Sequence, residues 1–241
     1  MNDTDVRVLV PIAVLEGETI PEPVVRILSQ MDVILLGYHV LPEQTATEQA
    51  QEQFHEKVHN ELADYEALFS EHGGSARSRI VFTHNKKATF DRIAVEEEVD
   101  TILLLNAAPA INRILVPIRG GVNLDRITRI AAAISPSEEG EIVLYHAASS
   151  DDERPAAETL FEDATNALVT AGFPAEKIST EFAVVSDPIT GIKAAADAAD
   201  FVIMGEKEPS VIERILGEAA NQVADSSLSP VLVVRKNSNS S

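Results

Sequence analysis

The chain has 241 residues, enough for one large domain or two of ordinary size, and 45% of them are hydrophobic, so a sizeable core can be buried. Its 39 acidic against 19 basic residues give a net charge of -20, which leaves little from which to build the basic face of a nucleic-acid binder. The absence of cysteine excludes disulfides and thiolate metal sites, and no apolar run approaches the roughly 18 residues that a membrane-spanning helix needs.

The start, MNDTDVRVLV, lacks the basic and long apolar regions of a secretory leader, so a soluble cytoplasmic protein is expected. Acid spread along the chain, with lysine scarcer than arginine, suggests adaptation to high salt, where screening removes most self-repulsion. In chain order, VRVLVPIAV (Val6–Val14) and MDVILLGYHVL (Met31–Leu41) read as strands. A helix follows over roughly Glu48–Ser70, with Phe54, Val58, Leu62, Tyr65 and Phe69 as its core stripe. VEEEVDTILLL then closes one helix and supplies a strand ending at Leu105.

Only Asn106–Asn112 separates that strand from the next. From there the expected strands are Arg113–Ile118, Glu141–His146, Ile178–Val185, Phe201–Met204 and Val231–Val234. Helices are expected at Leu124–Ile134, Ala156–Ala171, Pro188–Ala198 and Ser210–Ala224. The strand runs read as apolar on both faces, the mark of a parallel sheet covered by helices on two sides.

The chain also repeats itself. VRVLVPIAV returns as NRILVPIRG (Asn112–Gly120), MDVILLGYHVL as EGEIVLYHAA (Glu139–Ala148), and VEEEVDTILLL as AADAADFVIMG (Ala195–Gly205). Two copies of one fold are the economical reading, with domains at 1–111 and 112–236 and a flexible tail at 237–241. The first copy lacks the last helix and strand, giving four strands against five. Its truncated sheet would have an edge to cover, by packing between the domains or by oligomerisation.

RILVPI, IVLYHA, AADFVIMG and SPVLVVR, in that order, resemble the universal stress protein family, here as a tandem pair. The resemblance implies α/β domains with a flavodoxin-like, HUP-type doubly wound parallel sheet, cytoplasmic location, frequent dimerisation and, in one subset, ATP binding. Nucleotide-binding members carry a glycine after the fourth strand, another three residues on, and a third followed by Ser or Thr about ten residues later. Gly205 matches the first, Glu208 stands at the second, Gly217 falls one residue short of the third, and Glu218 replaces the hydroxyl residue. Two carboxylates beside a polyphosphate are unfavourable, so the loop reads as degenerate and no cofactor is expected, with ATP or AMP as the alternative. Those members also carry an acidic residue after the first strand, where this chain has Arg119 and, in the first copy, Ala13; Leu105 stands where Gly205 does. Arg119, Lys207 and a helix N-terminus could together hold a smaller anion. The candidate lining of the second crevice is therefore Pro117, Ile118, Arg119, Val184, Gly205, Lys207 and Gly217, by the resemblance and by the rule that open α/β sheets bind at their carboxyl edges.

HEKVH (His55–His59) matches the zinc-hydrolase pattern H-E-x-x-H, but no third ligand follows, so two partly exposed histidines beside a core stripe are the expected outcome. His39 and His146 read as equivalent strand-end residues with structural roles. No GxSxG elbow, GxGxxG or GKS/T loop is present, and Glu96–Glu98 read as solvated surface. The expected function is regulatory, through small-ligand or protein binding and without catalysis. Partners are a second copy, the other domain or an unidentified protein, not nucleic acid or membrane. Association with a membrane transporter and a zinc hydrolase remain as the outlying alternatives.

Overall fold

The computed structural model describes residues 6–42, 47–118, 124–134, 140–205 and 229–235. The chain divides into two compact units, Met1–Leu105 and Asn106–Ser241. The expected helix over 210–224 and the candidates Arg119, Lys207 and Gly217 lie outside the described residues.

The first unit runs β1 (Arg7–Ile12), α1 (Glu22–Leu28), β2 (Asp32–Val40), α2 (Thr47–Glu71), β3 (Ser75–Thr83), α3 (Lys86–Glu96) and β4 (Thr101–Leu104). Its strands are parallel in the order β3-β2-β1-β4. The chain steps outward from β1 to β3 and then returns to the other side of β1. Right-handed crossovers therefore place α1 and α2 on one face and α3 on the opposite one. The second unit repeats this path with β5 (Arg113–Pro117), α4 (Leu124–Ala133), β6 (Glu141–Ala148), α5 (Arg154–Thr170), β7 (Ile178–Val184), α6 (Pro188–Asp197), β8 (Phe201–Gly205) and β9 (Val231–Val234). Its parallel order is β9-β8-β5-β6-β7. This is an α/β fold with a parallel sheet between helical layers.

The cores follow from the residue pattern. Val8, Leu9, Val10 and Ile12 of β1 and Ile114, Leu115 and Val116 of β5 are buried completely. Their helices present apolar residues at helical spacing: Phe90, Ile93 and Ala94 on α3, and Leu124, Ile127, Ile130 and Ala131 on α4. The Asn85 side chain accepts from Ala88 N at 3.0 Å and starts α3 as an N-cap. On α2, Val58, Leu62 and Phe69 are the fully buried members of the expected stripe.

Three expectations need correction. The outermost strands β3 and β7 are not apolar on both faces; their residues are half-buried or exposed, as at Ser179, Thr180 and Glu181. A terminal strand has neighbours on one side only, and its sequence admits polar residues accordingly. Glu96 and Glu98 are exposed as expected, but Glu97 is half-buried, and Glu96 and Glu97 are ion-paired. Glu97 lies 2.8 Å from Arg77 and 2.9 Å from Arg79, while Glu96 lies 2.6 Å from Arg79 and 2.5 Å from Arg92. Strand β3 and helix α3 are thus bridged by a charge network, because Arg77 and Arg79 both reach from β3 toward the end of α3.

The third correction concerns the two histidines. Arg7 pairs with Asp32 and Ile12 with Gly37 across β1 and β2, whereas Arg113 pairs with Glu141 and Pro117 with Tyr145 across β5 and β6. Counting along these registers, His146 corresponds to Gly37, and His39 corresponds to Ala148. A side chain at position 37 is crowded by helix α2: a Cβ there would lie 2.8 Å from both Leu62 Cδ1 and Val58 Cγ1, so that one of them must shift. The strand therefore carries glycine where α2 presses closest, and the histidine appears two residues later.

At the amino edges the two sheets share a device that no single segment announces. The Arg7 amide donates to Asp100 Oδ2 at 2.9 Å, and the Asp100 amide donates back to Arg7 O at 2.9 Å. The Arg113 amide and Asp200 make the same reciprocal pair at the same distances. Each arginine side chain also reaches the acid that opens the next strand, Asp32 or Glu141, at 2.6 Å.

Candidate functional site

In each unit the strand order reverses between the first strand and the fourth, where the connections leave to opposite faces and open a crevice at the carboxyl edge. In the second unit that point lies between β5 and β8. Pro117 ends β5 and is buried, as is Ile118 after it. Gly205 ends β8 beside them, and a Cβ there would come within 3.2 Å of Ile127 Cδ1 on α4. The glycine thus serves close packing of α4 on the sheet. Val184 is 51% exposed at the end of β7, which β6 separates from β5, so it is not brought beside the other three.

His146 links the crevice to the rest of the edge. Its Nδ1 lies 2.9 Å from Ile118 O. A carbonyl can only accept, so the proton sits on Nδ1. The ring stacks on Phe182 with centroids 5.9 Å apart and planes 3° apart, and the Arg154 guanidinium lies 4.3 Å from the Phe182 ring. Burial raises the pKa of the neighbouring Tyr145 phenol, and the Glu181 charge raises it further. The bracing role of His146 was not apparent in sequence, where only its place at a strand end could be read.

The corresponding edge of the first unit is built differently. After β1 the chain makes a 3-10 turn at Val14–Glu16, passes through left-handed backbone at Gly17, and reaches α1. Glu18 Oε2 accepts from the Ala13 amide at 2.6 Å, and the Tyr65 hydroxyl accepts from the Ile20 amide at 3.1 Å. Beneath this segment Tyr38 and Phe90 meet edge to face, 5.0 Å apart at 82°. The Lys86 ammonium stands 4.8 Å from the Tyr38 centroid and 5.6 Å from that of Phe90. Burial raises the Glu18 pKa; the Ala13 amide and the Lys86 charge act against that shift and Glu16 adds to it. Burial likewise lowers the Lys86 pKa, opposed by Glu18 and Glu16. The Tyr38 phenol is pushed up, first by burial and then by the same two carboxylates. Of these residues only Tyr65, in the core stripe of α2, stood out in sequence; Glu18 and Lys86 sit in a polar loop and at a helix start and gain their setting only from tertiary approach.

His55 and His59 lie on the exposed side of α2 with rings 6.1 Å apart and 16° from parallel. Among the described residues no group of three or more His, Cys, Asp or Glu side chains is arranged to hold a metal ion. Among the same residues no helix is long and apolar enough to cross a membrane.

None of the curated proteins compared matches the chain. A universal stress protein from Archaeoglobus fulgidus DSM 4304 is 16% identical and similar in structure over 95% of this chain and 96% of its own, with a TM-score of 0.60. The cytoplasmic domain of a prokaryotic cation chloride cotransporter is 15% identical over 95% of both chains, with a TM-score of 0.54. A universal stress protein from Archaeoglobus fulgidus in complex with dAMP is 15% identical, covering 52% of this chain and 97% of its own, with a TM-score of 0.41. The model of the universal stress protein family matches residues 110–235, just over half of the chain. The chain therefore belongs to the universal stress protein family.

Proposed function

We propose that this is a tandem universal-stress-type protein that acts by binding rather than by turnover, through the carboxyl edge of its second unit. The observation that carries the reading is the reversal of strand order between β5 and β8, with Pro117, Ile118 and Gly205 at one edge and His146 bracing Ile118. The tandem reading is supported by the matching registers of the two units and by the recurring Arg7–Asp100 and Arg113–Asp200 pairs. Glu208 and Glu218 in the sequence weigh against a polyphosphate. A small anion or a nucleoside monophosphate fits the residues better, with Arg119 and Lys207 as the cations. The cellular setting that goes with this reading is a salt-rich cytoplasm, with self-association of the chain.

The test is thermal unfolding in molar KCl with ATP, ADP, AMP or inorganic phosphate, each with and without magnesium. A ligand at 100 times its dissociation constant contributes about 2.7 kcal/mol, or roughly 5–10 °C for a unit of this size. AMP or phosphate should give a saturable shift larger than that of ATP, and Arg119→Ala with Lys207→Ala should abolish it. An ATP shift exceeding that of AMP would refute the degenerate loop. No shift with any of the four would refute the small-anion site, and steady ATP hydrolysis would refute binding without turnover.

A further inference from the structure

The segment from Val14 to Ile20 follows β1 at the carboxyl edge of the first unit's strands, packed against β2 and α2. Its ends are anchored by apolar burial, since Val14 and Ile20 are nearly inaccessible. Glu16 and Gly17 between them are exposed. Two side-chain hydrogen bonds hold it down, the Ala13 amide to Glu18 Oε2 at 2.6 Å and the Ile20 amide to the Tyr65 hydroxyl at 3.1 Å, beside backbone bonds from the Glu16 and Glu18 amides to Ala13 O at 2.9 and 3.4 Å. Under it lie Tyr38, Phe90 and the Lys86 ammonium. A loop fastened by a carboxylate above a half-buried amine is stable only while that carboxylate tolerates its surroundings.

We propose that Val14–Ile20 is a strap over the carboxyl edge of the first unit beside β2 and α2, with Glu18 as its latch on the Ala13 amide and Lys86 as the counter-charge that keeps the latch seated. This device belongs to the first unit and stands or falls apart from the site proposed in the second. The groups that face Glu18 are Glu16 on the strap, Tyr38 on β2, Tyr65 on α2 and Lys86 on α3. Of these only Lys86 offers a positive charge.

The direction of the pH response follows. Burial holds the Glu18 pKa above its ordinary value of 4.5 when the strap is closed. The closed strap therefore binds a proton more readily than the open one, and its stability is fully present below the ordinary value. That stability is lost as pH rises through the raised value, so the strap is loosest when Glu18 is charged. Glu18→Gln removes the charge while keeping an oxygen for the Ala13 amide. Lys86→Met removes the counter-charge and should loosen the wild-type strap without loosening that of the Glu18→Gln variant.

The experiment is hydrogen exchange of the full chain, read on peptides covering residues 13–20 and corrected for intrinsic pH dependence, from pH 4, below the ordinary value, to pH 8. The peptide covering β2 serves as the reference for global opening. Protection of the strap should fall severalfold across this range in the wild type while β2 stays constant. The Glu18→Gln strap should be better protected at pH 8 and flat with pH, and Lys86→Met should lower protection only where Glu18 is present. Wild-type strap protection that tracks β2 at every pH would overturn the proposal even if no variant folded. Exchange in Glu18→Gln as fast as wild type at pH 8 would overturn it as well.

Discussion

Gly37→Ala isolates the closest helix-to-sheet approach in the first unit. The added Cβ would meet Leu62 Cδ1 and Val58 Cγ1 at 2.8 Å, well inside normal van der Waals contact. Neither neighbour can swing into solvent, since Leu62 is 0% and Val58 3% exposed. Overpacking of this kind costs about 1–3 kcal/mol. Replacing glycine within a strand returns about 0.5–1 kcal/mol through lower chain entropy. With each range taken near its middle the net loss is about 1 kcal/mol, or roughly 4–8 °C in melting temperature for a unit of about 100 residues. Urea unfolding should show a lower midpoint at unchanged slope, the signature of altered stability without a change in compactness. A cycle with Leu62→Ala sharpens the test. If the clash is with Leu62, Gly37→Ala should cost at least about 1 kcal/mol less in that background. A neutral Gly37→Ala, or strictly additive effects, would mean that α2 is not seated on β2 as closely as the geometry shows.

Other outcomes follow from the same reasoning. His146→Phe keeps a ring against Phe182 but strands the Ile118 carbonyl, and should destabilise by about 1–3 kcal/mol; His146→Asn, which can still donate, should recover part of that loss in thermal unfolding. Asp200→Ala removes the acceptor of the Asn112 and Arg113 amides, both at 2.9 Å, and should lower the urea midpoint by the equivalent of about 1–2 kcal/mol. Hydrogen bonds from Arg77, then Arg79, hold the Glu97 pKa below its ordinary value of 4.5. The stability it contributes is present above that value and is lost as pH falls through the lowered one. Glu97→Gln should therefore flatten the acid limb of a pH–stability curve, with a small effect that shrinks in high salt because the network is open to solvent.

How much of this was legible beforehand depends on the range of each interaction. The apolar runs at Arg113–Ile118 and Val231–Val234 announced strands, and the spacing of Val58, Leu62 and Phe69 announced the buried face of α2. Both signals are local and periodic, so they survive without knowledge of neighbours. Glycine in the strand ending GYHV carried no such meaning until α2 was laid across it. The same holds for Glu96 and Glu97, which read as solvated charge until β3 placed Arg77 and Arg79 alongside.

The sequence by itself determined the alternation of strands and helices, the internal similarity and the family, because burial pattern and strand-end residues are properties of short segments. The tertiary structure alone decided which residues share a level across strands. It moved His39 two positions away from the counterpart of His146, and it set Val184 apart from Pro117, Ile118 and Gly205. It also joined Glu18, Lys86, Tyr38 and Phe90, from separate segments of the first unit, into one half-buried cluster. Register is set by pairing over long separations, and a buried charge acquires its partners only when the sheet has closed around it.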